Sequence, residues 1–268
     1  MKRRISGFSL LELSISFTLL SFLLLVLGAA LSDSQRIWRD VWGANQASSQ
    51  LKRACAGLQR EIALTNQVYA RSVPAHLAGG GWDGDAIWFT SATDPATGQI
   101  ARKANGSPLY LRNILYYLIV PRGHAGIYGF DCAGGIGPNN YDDRCPHKVL
   151  VRKVIDYNGP SSNESNEEQP MSSTEVAAFL TQPNGLDVSS MTSESTGGAQ
   201  VGPVQLVARD LLWLTCNSKA PASPLPVQLE LRASNLLRVH KELAVGRGSL
   251  YSAGTTEEVR LSLMPGNH

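Results

Sequence analysis

The chain has 268 residues, of which 43% are hydrophobic and 17% charged, a composition of folded globular proteins rather than of disordered or fibrous ones. The formal net charge is +2, but Lys2, Arg3 and Arg4 supply three of the 24 basic residues, leaving 21 against 22 acidic ones beyond residue 7. No basic patch dominates that remainder, so a nucleic-acid partner, which needs Lys and Arg clustered against phosphates, has no compositional support.

Phe8 to Leu31 is a run of 24 residues with a single charge, Glu12. As a helix it is long enough to cross the roughly 30 Å hydrocarbon core of a bilayer, which argues against a purely cytosolic chain. The basic residues before it should stay on the cytoplasmic side and place everything after residue 31 outside. An ordinary secretory signal has an uncharged apolar core and a small-x-small cleavage site. Here Ala29-Ala30 is only a weak site of that sort, and a carboxylate interrupts the run near its start. A carboxylate in hydrocarbon costs about 2.5–3.5 kcal/mol on insertion scales, so Glu12 calls for an interfacial position or a cationic partner.

The segment Gly7-Phe8-Ser9-Leu10-Leu11-Glu12-Leu13, after its short basic leader, resembles the class III signal of type IV prepilins and type II secretion pseudopilins. The resemblance implies that residues 1–7 are a leader removed by a prepilin peptidase between Gly7 and Phe8, and that the new amino group on Phe8 is methylated. Glu12 then falls fifth in the mature chain, where such a carboxylate pairs with the α-ammonium of a neighbouring subunit inside an apolar filament core. The implied partners are the peptidase, other minor and major pilins or pseudopilins, an inner-membrane assembly platform and the inner-membrane lipid. The plainer reading is a single-pass anchor with a chance Gly-Phe pair and a stray glutamate.

From Ser32 to about Tyr69 the chain lacks proline, and Ile37, Val41, Ala44, Ser48, Leu51, Cys55, Leu58 and Ile62 recur at alternating steps of four and three, the stripe of an amphipathic helix. Residues 32–72 should therefore continue the membrane half, 8–31, as one helix of about 60 residues, on the order of 90 Å long. Gly28 and Gly43 each weaken it by about 1 kcal/mol relative to alanine. Arg39, Asp40, Lys52, Arg53, Arg60 and Glu61 mostly fall off the stripe and read as a solvated face. Trp38 and Trp42 lie just beyond the apolar run, where their indoles suit a membrane interface or subunit packing.

Beyond Pro74 the texture becomes Gly, Asp and Thr punctuation between short β-rich runs, so residues 73–268 should form a β-dominated head. Candidate strands are Ala86 to Ser91, Leu109 to Pro121, Lys148 to Tyr157, Val204 to Cys216, Val227 to Ala233 and Val259 to Met264. Alternation is strict in Val227-Gln228-Leu229-Glu230-Leu231-Arg232 and in Val259-Arg260-Leu261-Ser262-Leu263, as in antiparallel strands with one wet face. The expected fold is α+β, a long amino-terminal helix packed on an antiparallel β-sheet in two layers. The order of hydrophobic strands, with Ile114-Leu115-Tyr116-Tyr117-Leu118, Val149-Leu150-Val151 and Leu212-Trp213-Leu214, is similar to J-type minor pseudopilins and W-type minor pilins. The length that remains after cleavage favours a minor, low-copy subunit. Residues 158–203 hold nine serines and six acidic residues with no lysine or arginine, and read as a long loop or disordered insertion in which Val176 to Leu180 form a short helical turn.

The four cysteines are Cys55, Cys132, Cys145 and Cys216. An extracytoplasmic head permits disulfides. Cys132 with Cys145 would close a short loop, worth about 3 kcal/mol in the chain-entropy model, and Cys55 with Cys216 would tie helix to sheet. His124, Cys132, Cys145 and His147 have zinc-ligand types without finger spacing. Asp83 with Asp85, and Asp142 with Asp143, are turn carboxylates without a complete calcium loop. No nucleophile elbow, P-loop or dinucleotide fingerprint occurs, and His240, Ser249 and Asp210 form a triad only by arbitrary choice. The reading is a structural subunit, not an enzyme and without cofactor or metal: a minor pseudopilin of type II secretion, with a minor pilin priming a type IV pilus as the alternative. A membrane-anchored periplasmic enzyme or binding protein is the alternative of another class.

Overall fold

The computed structural model describes residues 9–71, 86–94, 97–119, 148–156, 164–180, 201–202, 204–216, 226–234 and 256–266. Helix α1 runs unbroken over Leu10–Ile62, 53 residues or about 80 Å at 1.5 Å per residue. Ser9 caps its start by accepting a bond from the Leu11 amide at 3.3 Å. The helix passes both Gly28 and Gly43 without a break. It stops earlier than the expected residue 72. After Ile62 the amides of Leu64 and Thr65 reach back only three residues, to the carbonyls of Glu61 and Ile62, a tightened last turn. The Thr65 hydroxyl then bonds the Gln67 carbonyl, and Tyr69–Arg71 leaves as strand β1.

Six more strands follow: β2 (Ala86–Ser91), β3 (Arg112–Ile119), β4 (Lys148–Ile155), β5 (Gln205–Cys216), β6 (Val227–Ser234) and β7 (Thr256–Leu263). They form one seven-stranded sheet in sequence order, every neighbour antiparallel. The α+β arrangement of helix on antiparallel sheet is present, with the helix lying chiefly over β5, β6 and β7.

The sheet is covered differently along its width. On the α1 side one core joins Leu51, Leu58 and Ile62 of the helix to Ile87, Phe89, Ile114, Tyr116, Leu118, Leu150, Leu229 and Leu231. On the opposite side of β2–β4 a second core holds Trp88, Leu115, Tyr117, Val149, Val151 and Ile155 under Met171 and a short helix, α2 (Ser173–Leu180), through its Val176, Phe179 and Leu180. Two layers were expected. Here there are three, because β2 is buried at every position and an apolar strand without a polar face needs cover on both sides.

The cover comes from residues 164–180, part of the segment expected to be a loop or disordered insertion. Its acidic residues are the fasteners. Glu167 takes the Lys103 ammonium at 2.6 Å and the Tyr110 amide at 3.1 Å. Glu168, 1% exposed, accepts from Asn113 Nδ2 at 2.7 Å, and the Trp88 indole N–H donates to the Met171 carbonyl at 2.8 Å. Lys153, fully buried, donates to the Phe179 carbonyl at 2.9 Å, a cation at the carboxyl end of α2.

β5 is irregular within the sheet. Its register shifts against both neighbours, and Asp210 has φ 59°, the left-handed region that Asp tolerates better than most residues.

Candidate functional site

The feature that sets this molecule apart is the division of α1. Every residue from Leu10 to Arg39 is exposed, including Leu10 at 87%, Phe17 at 65%, Phe22 at 68% and Leu25 at 72%. This half is long and apolar enough to cross a membrane, with a mean hydropathy of 2.3 in its best window. Three of its hydroxyls bond back onto the helix: Ser16 to the Glu12 carbonyl, Thr18 to that of Ser14 and Ser21 to that of Phe17, all at 2.8–2.9 Å. Hydroxyls satisfied in this way add little cost to an apolar surface. Glu12 lies in the first turn, where the helix dipole favours a carboxylate. Among the described residues no cation reaches it.

From Gly43 onward one stripe is buried: Gly43, Ala47, Leu51, Ala54, Cys55, Leu58 and Ile62. The lower part is the expected stripe. Its upper part, Ile37 and Val41, is 63% and 55% exposed, and burial passes to Gly43 and Ala47 instead. Two polar clamps hold this half to the sheet. At its upper end Gln46 Nε2 donates to Asp210 at 3.2 Å, and Gln50 Oε1 accepts the Arg209 amide at 3.0 Å. The bulge in β5 brings both groups to the helix.

At its lower end Glu61 accepts from Arg152 Nη2 and Nε at 2.6 and 2.9 Å, and from the Tyr116 hydroxyl at 2.6 Å. Burial, then the Glu61 charge beside it, pushes the Tyr116 phenol well above its usual range. For Arg152 burial acts to lower the pKa, but the hydrogen bonds and charge of Glu61 outweigh it and the net shift is upward. Glu61 thus departs from the expected solvated face. No local signal marked it, since Arg152 lies 91 residues away.

Between the two halves Trp38 and Trp42 stand exposed, at 67% and 43%, with ring centroids 5.6 Å apart. They border a shallow groove of about 640 Å³ with Val41, Asn45 and Ser49.

Gly7 and Phe8 lie outside the described residues, as do Cys132, Cys145, His124, His147, Asp83, Asp85, Asp142 and Asp143, and His240 and Ser249 of the arbitrary triad. Asp210 serves the upper clamp. Cys55 and Cys216 both belong to the core between helix and sheet, but Cys55 is a free thiol, so the bridge expected between them is not formed. Burial raises the Cys55 pKa against a smaller lowering effect of a backbone hydrogen bond, which keeps the thiol protonated and inert. Among the described residues no group of His, Cys, Asp and Glu is placed to hold a metal ion.

No protein-family model, no curated protein and no solved structure matches the chain.

Proposed function

We propose that the chain is a structural subunit of the pilin and pseudopilin kind, a minor pseudopilin that joins the tip of a type II secretion pseudopilus. Before assembly it sits in the inner membrane, with residues 1–7 cytoplasmic and the head periplasmic. The peptidase cuts after Gly7, Phe8 becomes the methylated amino terminus, and the bare half of α1 passes from lipid into a bundle of like helices.

The observation that carries this reading is the single carboxylate of the apolar run, Glu12, in the first turn of an exposed helix that continues without a break into the head. A tether needs the apolar run but not the carboxylate, which costs about 2.5–3.5 kcal/mol in hydrocarbon. A filament gives it a role, because the α-ammonium of a neighbour neutralises it in an apolar core. The continuous helix also couples that contact rigidly to the head, as a flexible linker does not.

The test is Glu12→Leu in cells that carry the complete secretion machine. The filament reading expects unchanged membrane insertion and head stability with strongly impaired assembly and exoprotein release. Unimpaired release with Leu at position 12 would make the helix a tether and the head an anchored enzyme or binding protein. Loss of surface pili with normal exoprotein release would assign the subunit to a type IV pilus.

A further inference from the structure

We infer that the outer edge of β7 is a docking edge for an extended segment of another polypeptide, a neutral strand with apolar residues at alternate positions that adds to the sheet beside Thr256–Leu263. An edge strand leaves alternate backbone N–H and C=O groups unused by its one neighbour, and the group that matches such a row is the backbone of another strand at about 4.8 Å.

The two edges of this sheet are built differently. β1 has three residues, and the Arg71 guanidinium is fastened onto the Ser173 carbonyl of α2. Shortness and cover are how an edge is closed to partners. β7 is eight residues long and pairs with β6 in unbroken register from Val227↔Leu263 to Ser234↔Thr256, with neither bulge nor proline. Among the described residues no strand lies beyond it.

The side chains on the α1 side define the occupant. Val259, Leu261 and Leu263 face the helix core but are only partly buried. Directly across the ladder Leu231, Leu229 and Val227 are 0%, 1% and 5% exposed. The apolar row is therefore unfinished at its last strand, and alternate apolar residues of an added strand complete it. On the other face Glu258 meets Arg260 at 2.6 Å and Arg232 at 2.8 Å. Those charges are matched within the sheet and ask nothing charged of the newcomer. A second copy of β7 fits poorly, because Glu257 shares the face of Val259 and a self-paired strand would set that carboxylate in or beside the apolar row.

This inference does not depend on the filament reading, since a tethered head has the same edge. It is tested with the full chain in membranes of cells that make its natural partners, with photoreactive p-benzoylphenylalanine placed singly at Arg260, Ser262 and Met264, all exposed, and the cross-linked peptides mapped. The expected result is cross-links to one segment of one other protein, apolar at alternate residues. The attachment point should shift by two residues each time the label moves by two, the signature of a strand in register. Cross-links confined to this chain, scattered without register, or joining β7 to a second β7 would overturn the inference, as would no cross-link from any of the three positions.

Discussion

The two halves of α1 share one backbone geometry and one unbroken ladder of hydrogen bonds, yet they meet opposite surroundings. In the carboxyl-terminal half a stripe from Gly43 to Ile62 is buried and both ends of the contact are clamped by polar groups. In the amino-terminal half even leucines stand more than half exposed, as Leu13 and Leu20 do at 53% each. Helix propensity does not explain the difference, since Leu dominates the bare half and favours helix anywhere. What differs is the number of faces with cover. A half that is apolar all round belongs in lipid or among other helices, and a half with one apolar stripe belongs on its own sheet. The division teaches that the carboxyl-terminal half belongs to the core of the sheet, and that among the described residues nothing covers the amino-terminal half.

The strongest way to break this comparison is to strand a charge in the covered half. Arg152→Met leaves the Glu61 carboxylate, whose side chain is only 11% exposed, without its cation, and head stability in detergent should fall by about 3–5 kcal/mol. The double variant Glu61→Leu/Arg152→Met should recover most of that loss in urea unfolding. Glu12→Leu, the carboxylate change in the bare half, should leave the same unfolding curve where it was.

Cavities come next. Leu58→Ala and Ile62→Ala, each at a fully buried position, should each cost about 2–5 kcal/mol. Leu20→Ala should shift stability by less than about 0.5 kcal/mol, which thermal unfolding in detergent can compare directly. Equal losses from Leu58→Ala and Leu20→Ala would mean that the bare half packs on the head after all.

A smaller effect sharpens the lower clamp. The Tyr116 phenol is raised in the folded state, so its contribution is complete below the unfolded tyrosine value of about 10. As pH rises beyond that, the unfolded chain releases the proton first, and stability falls towards the folded value. Tyr116→Phe should lower stability by about 1.5–3 kcal/mol at neutral pH, because it removes a hydrogen bond to a charged group. It should also flatten part of the alkaline decline, as measured by urea unfolding from pH 8 to 11.

Much of this architecture is legible in the sequence where a local pattern decides it. Strand β2 is bounded at Ala86 and Ser91 as expected, and β6 and β7 show strict alternation because one face is core and the other carries Glu230, Arg232, Glu258 and Arg260. The bare half of α1 is read from composition alone. Tyr69–Arg71 was missed because three residues after a long helical period carry too little pattern to show a change of period. The third layer was missed although Ile114 to Ile119 has no polar face, a sign that both sides of a strand are covered. Low hydrophobicity in residues 158–203 concealed that Glu167, Glu168 and Met171 dock inward. The clamps were beyond local reasoning, since Gln46 meets Asp210 across 164 residues and only the sheet register brings them together.

The central claim, that the bare half of α1 is an assembly surface matured at its amino terminus, is tested most directly by the intact mass and amino-terminal sequence of the protein purified from membranes that contain a prepilin peptidase. The account predicts a chain that begins at Phe8 and carries one methyl group on its amino nitrogen. A chain that keeps Met1, or one cut near Ala30, would contradict it.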